Sequence, residues 1–78
     1  MSRELVTPQQ IQHWLSDRIN GDRLLLDDGH HQHVSVPLKN EPDADGCNWN
    51  IATWRNPAGH EAVIDAAMRE ARSRFNLE

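Results

Sequence analysis

The chain has 78 residues, 26% of them charged and 37% apolar, with a formal net charge of −4 and a pI near 5.6. That length holds one domain, residues 1–78, near the lower limit for a self-supporting core. The acidic balance disfavours nucleic-acid binding through a strong basic field, although a local basic patch is compatible with it. No apolar run reaches the ~20 residues of a bilayer span, so no membrane contact is expected. Cys47 is the single cysteine, which excludes an intrachain disulfide and suits a reducing cytoplasm. The opening MSRELVTPQQ lacks a basic segment followed by an apolar one, so no signal peptide is expected.

Residues 1–6 read as an N-terminal tail. The first helix spans about 8–20: Thr7 caps it, Pro8 suits its first position, and Gln10 completes a capping box. Val6 and Ile11 are placed as a hydrophobic staple, and Ile11, Trp14, Leu15 and Ile19 recur on one face. Asn20 and Gly21 read as a left-handed stop.

Three strands are expected next. Residues 22–27 (DRLLLD) form the first, and Asp27-Asp28-Gly29 suits a three-residue hairpin loop with glycine in the left-handed position. That register places Leu24 and Leu26 on the same dry face as Val34, Val36 and Leu38 of the second strand, 34–38. KNEPDADG is an open polar connection. In 47–54, Cys47, Trp49 and Ile51 alternate with Asn48, Asn50 and Ala52. The last helix opens with Asn56 as cap and Pro57 in its first turn. It carries an apolar stripe of Ile64, Ala67, Met68, Ala71 and Phe75, with Asp65–Arg69 and Glu70–Arg74 as acid-before-base pairs. Leu77 and Glu78 read as the remnant of an expression tag and are given no role.

The expected fold is α+β: a two-layer α-β-β-β-α domain whose small antiparallel sheet carries both helices on one face. The other sheet face is left open.

DDGHHQHVSV, residues 27–36, gathers three of the five histidines. In the expected register His31 and His33 project from the open face, while His30 turns toward the core. Two histidines at i and i+2 can share a metal, but a zinc site needs further ligands. Cys47 is expected on the core face, and His13 and His60 on helices behind the sheet. No metal site and no cofactor are therefore expected. Glu41, Asp43, Asp45 and Gly46 match the opening of a calcium loop, yet its twelfth position falls on Ala52. Cys47, in phase with Trp49 and Ile51, reads as a buried inert thiol. Trp54 is out of phase with Trp49, which sets it either beside His31 on the open face or against the start of the last helix.

The order helix, three strands, helix resembles the double-stranded-RNA-binding fold in topology. Small endoribonuclease toxins of that fold carry Gly-Ser-His where this chain has Gly29-His30-His31, so the resemblance implies a histidine acting on RNA; the serine is missing here. The last helix also opens Pro57-Ala58-Gly59-His60-Glu61 in place of a lysine-rich start.

Three functions follow as expectations. The leading one is a small non-enzymatic module that binds a protein partner, or a second copy, through the open sheet face or a sheet edge. Its candidate face is His31, His33, Asn50 and Trp54. The second is RNA or DNA binding, with Arg69, Arg72 and Arg74 as phosphate contacts. The third is a histidine-dependent RNA-cleaving enzyme, for which no acid, phosphate clamp or positioned partner is evident and no catalytic residue is assigned.

Overall fold

The computed structural model describes residues 3–29, 31–55 and 58–78. Its elements are β1 (Glu4–Val6), α1 (Pro8–Asn20), α2 (Arg23–Asp28), β2 (Leu38–Lys39), β3 (Trp49–Asn50), α3 (Glu61–Arg74) and β4 (Phe75–Leu77). The α+β class expected from the sequence holds, with α1 and α3 packed on each other and against the strands.

Helix α1 starts where its capping chemistry dictates. The Thr7 hydroxyl accepts from the Gln10 N–H at 3.2 Å, and Gln10 Oε1 accepts from the Thr7 N–H at 2.8 Å. Val6 and Ile11, the expected staple pair, are both buried, as are Leu15 and Ile19. Gly21 closes the helix in a right-handed conformation, φ −85°, so the expected left-handed stop is corrected. Its N–H reaches the Asp17 carbonyl, and a Cβ there would lie 2.7 Å from that oxygen. The chain needs glycine at that position for close approach.

The segment 22–27 is not a strand. Arg23–Asp28 is helical, with Leu26 N–H donating to the Asp22 carbonyl at 3.1 Å. Leucine is a strong helix former. Leu25 is buried and Leu26 is exposed, so Leu26 does not take the inward place expected of it. Gly29 does take the left-handed conformation, φ +67°, but at the end of α2 and not in a hairpin.

The expected strands 34–38 and 47–54 shrink to β2 and β3, an antiparallel pair with Leu38 opposite Asn50 and Lys39 opposite Trp49. Val34 is buried, but Val36 and Leu38 are exposed and Pro37 is buried in their place. The inward phase therefore shifts by one residue before Pro37, which has no N–H to offer a ladder. Cys47, Trp49 and Ile51 all point inward, as their alternation requires.

The chain ends supply the other pair. β1 lies parallel to β4, with Glu4, Leu5 and Val6 opposite Phe75, Asn76 and Leu77. Residues 4–6 are thus a strand and not a tail, and Leu77 is a buried member of the core and not an idle remnant. Phe75, expected on the helical stripe, is instead extended (φ −126°, ψ 146°) and ends α3. That helix begins at Glu61, after a turn over 58–60; the expected cap and first-turn residues, Asn56 and Pro57, lie outside the described residues. With two helices before β2, a strand at each end and one parallel pair, the order no longer matches the double-stranded-RNA-binding topology.

The two strand pairs meet through side chains. Asn48 Oδ1 accepts from the Leu77 N–H at 2.8 Å while its Nδ2 donates to the Leu77 carbonyl at 3.0 Å. Asn76 reciprocates, accepting from the Asn48 N–H and donating to the Gly46 carbonyl. The indole N–H of Trp49, itself wholly buried, donates to the Phe75 carbonyl at 2.9 Å. The primary amides thus complete a layer ordered β2, β3, β4, β1 over one continuous core.

Candidate functional site

The histidine segment is tied down from within. Gln32, 1% exposed, donates through Nε2 to the carbonyls of His33 and Arg55 at 3.1 and 2.8 Å. Its Oε1 is left to accept, so the buried His60 carries a proton on Nδ1 for their 2.7 Å contact. Asn20 pairs with the Gln32 backbone in both directions, at 2.7 and 3.0 Å. Gln12 holds the Val34 carbonyl at 2.9 Å. With Gln32 and Val34 pinned inward, His31 and His33 are turned outward, as the alternation implies.

Asn50 and Trp54 are not among the residues that line the cleft of His31 and His33. His31 and His33 line a shallow cleft against α1 with Gln9, Gln12, His13 and Ser16. His13, expected behind the sheet, is therefore their neighbour; no periodicity argument could have placed that helix face against residues 31–34. His13 itself sits 3.2 Å from Asp17. Among the described residues, no three His, Cys, Asp or Glu side chains are grouped as metal ligands. Asn50 stands across from Leu38, and Trp54 is half-buried against the core. His30 lies outside the described residues.

The arginines of the last helix also part company. Arg69 and Arg72 line an open groove with Arg3, Asp45, Asp65 and Cys47. Arg72 is bound to Asp43, and Arg3 Nε donates to the Arg72 carbonyl at 2.6 Å. Arg74 pairs with Glu70 at 3.2 Å, as expected, whereas Asp65–Arg69 does not close among the described residues. Three carboxylates, from Asp43, Asp45 and Asp65, therefore accompany the three guanidiniums of this groove. Its field is mixed. Cys47 forms its floor as a buried thiol, 3.5 Å from the Trp49 carbonyl.

The most apolar concavity lies elsewhere, around Trp14. Its half-buried ring meets Phe75 edge-on, with centroids 5.6 Å apart and planes at 72°. On one side is a cleft of about 280 Å³ between β1 and α1, lined by Glu4, Val6, Gln10, Ile11 and Phe75. On the other is a wider one of about 610 Å³, lined by Gln9, Gln10, His13, Asp17 and Arg18. Beside them runs an open strand edge, since among the described residues β1 is paired with β4 alone. The Val6 carbonyl accepts from the Glu78 N–H, so in this parallel ladder Leu5 turns its own N–H and C=O away from β4. Its spacing in the sequence places Trp14 on the core stripe of α1. Only tertiary packing shows how much of its ring is left uncovered.

No known protein family, curated protein or solved structure matches the chain.

Proposed function

We propose that this chain is a small, non-enzymatic protein-binding module whose contact surface is the pair of clefts around Trp14 and the adjoining edge of β1. The single observation that carries this reading is the half-covered Trp14–Phe75 pair, flanked by two apolar clefts with polar rims. Tryptophan and a desolvated apolar centre within a polar rim are what protein interfaces concentrate. The bound segment is extended: it pairs with Leu5 at the open edge and sets alternate side chains into the clefts. No helix among the described residues is long and apolar enough to cross a membrane, which suits partners met in water.

The test is a 15N–1H NMR titration with capped five-residue peptides carrying aliphatic residues at alternate positions. Shifts gathered on the Glu4–Val6 amides and the Trp14 indole N–H support the reading. Shifts gathered instead around His31 and His33, or an unchanged spectrum at millimolar peptide, overturn it.

A further inference from the structure

The charges around Trp14 are not balanced. Glu4 is exposed at one end of the clefts and makes no ion pair among the described residues. Asp17 borders the other end, and its ionic partner is His13, which offsets the carboxylate only when the imidazole is protonated. Arg18, the one arginine on this rim, is engaged by Asp22 at 3.8 Å and Glu70 at 3.5 Å. The aromatic floor is thus flanked by two carboxylates, neither of which is paired with an arginine or lysine among the described residues. The negative face of an indole ring adds to the attraction for cations, and the chain as a whole is acidic at −4.

Resting on the docking reading above, we infer that the occupant is a basic extended segment of a protein partner, with a cation on each side of an apolar anchor. Gln10, which shares the smaller cleft with Glu4, and Asp17 are seven residues apart on α1; at ~1.5 Å per residue the rim from Gln10 to Asp17 is ~10 Å, and Glu4 stands on the Gln10 side of it. An extended chain advances ~3.3 Å per residue and repeats its side-chain direction every second one. The pattern basic–x–apolar–x–basic spans ~13 Å, and the long stems of lysine or arginine absorb the difference. Its apolar residue enters beside Trp14 while the cations meet Glu4 and Asp17.

Three capped peptides separate this inference from the reading it rests on: Lys-Val-Leu-Val-Lys, Gln-Val-Leu-Val-Gln and Glu-Val-Leu-Val-Glu, titrated into the full chain by NMR. The inference requires the lysine peptide to bind ~10-fold more tightly than the glutamine one, with the gap closing in 0.5 M salt. Either Glu4→Gln or Asp17→Asn narrows that gap ~3-fold, and as exposed substitutions both leave the dispersion of the spectrum unchanged. Equal binding of the lysine and glutamine peptides overturns the charge inference and leaves the docking reading intact. Preference for the glutamate peptide overturns the inference as well. Absence of binding by all three overturns both. Concentration-dependent shifts of the Glu4–Val6 and Trp14 signals without peptide would identify a second copy as the occupant and overturn the inference.

Discussion

Asn20 and Asn48 do the same work at two places in the molecule. Each uses its primary amide to satisfy both the N–H and the C=O of one distant residue, Gln32 and Leu77 respectively. A primary amide is the one neutral group that offers donor and acceptor side by side, so it stands in for a neighbouring strand. Asn48→Ala removes two bonds and leaves the N–H and C=O of Leu77 without these partners; about 2 kcal/mol of stability is the expected loss in urea denaturation. Asp43 works through charge. Its carboxyl is held below the ordinary value of 3.8, foremost by the Cys47 N–H, with the Asp45 N–H and Arg72 adding to it. A carboxyl whose folded pKa is depressed contributes fully above its unfolded value and loses that contribution as the pH falls through the folded one. Asp43→Asn is therefore expected to lower Tm at pH 7, and the difference from the parent should fade below about pH 4. The pairings of Asn20 and Asn48 leave no local pattern, because their partners are distant in sequence. Asp43 differs: its bonds to the Asp45 and Cys47 N–H groups are local, and only its ion pair with Arg72 is long-range.

Elements governed by local chemistry were legible, and those governed by distant pairing were not. Helix α1 begins at the residue its capping box predicts and ends where expected, although its stop at Gly21 is right-handed, since the signals it uses lie within four residues. The body of α3 was legible for the same reason, through Ile64, Ala67 and Ala71. The leucine run at 24–26 failed because an apolar run of three fits either period, and the choice rested on matching Val34 and Val36 across an imagined hairpin. The two alternatives differ in a measurable way. With α2 in place, Leu25→Ala costs about 2–4 kcal/mol in chemical denaturation, while Leu26→Ala stays within about 0.5. A strand with Leu24 and Leu26 inward would reverse that order. The proposed binding surface shows the same division. Trp14 was read correctly as part of the apolar face of α1, but its partners Glu4 and Phe75 arrive from opposite ends of the chain.

At the scale of the whole molecule, the pairing of Glu4 with Phe75 joins the first strand to the last. Such a contact closes only after nearly the whole chain is placed, and late non-local pairing slows folding. It also makes the closing strand important to stability. Leu77→Ala empties a buried position against Val6 and is expected to cost about 2–4 kcal/mol by urea denaturation. Stopped-flow traces of the same variant show when the ends join: slower folding places the joining at or before the transition state, as its effect on folding speed requires, and faster unfolding with folding unchanged places it after.

The layer built by these strands has a seam. Between β3 and β4 the bonding passes largely through the side chains of Asn48, Asn76 and Trp49 and not through a backbone ladder. Side chains release their partners by turning about their own bonds, without unravelling either ladder beside them. Trp49 is wholly buried and keeps the 38–50 hairpin in the core, so what can turn at this seam is the exposed side of it, the half-buried amides of Asn48 and Asn76. The amide of Leu77, though buried, is held by the Asn48 side-chain oxygen and not by a backbone carbonyl, and in hydrogen exchange it is expected to exchange sooner than the amides inside α1.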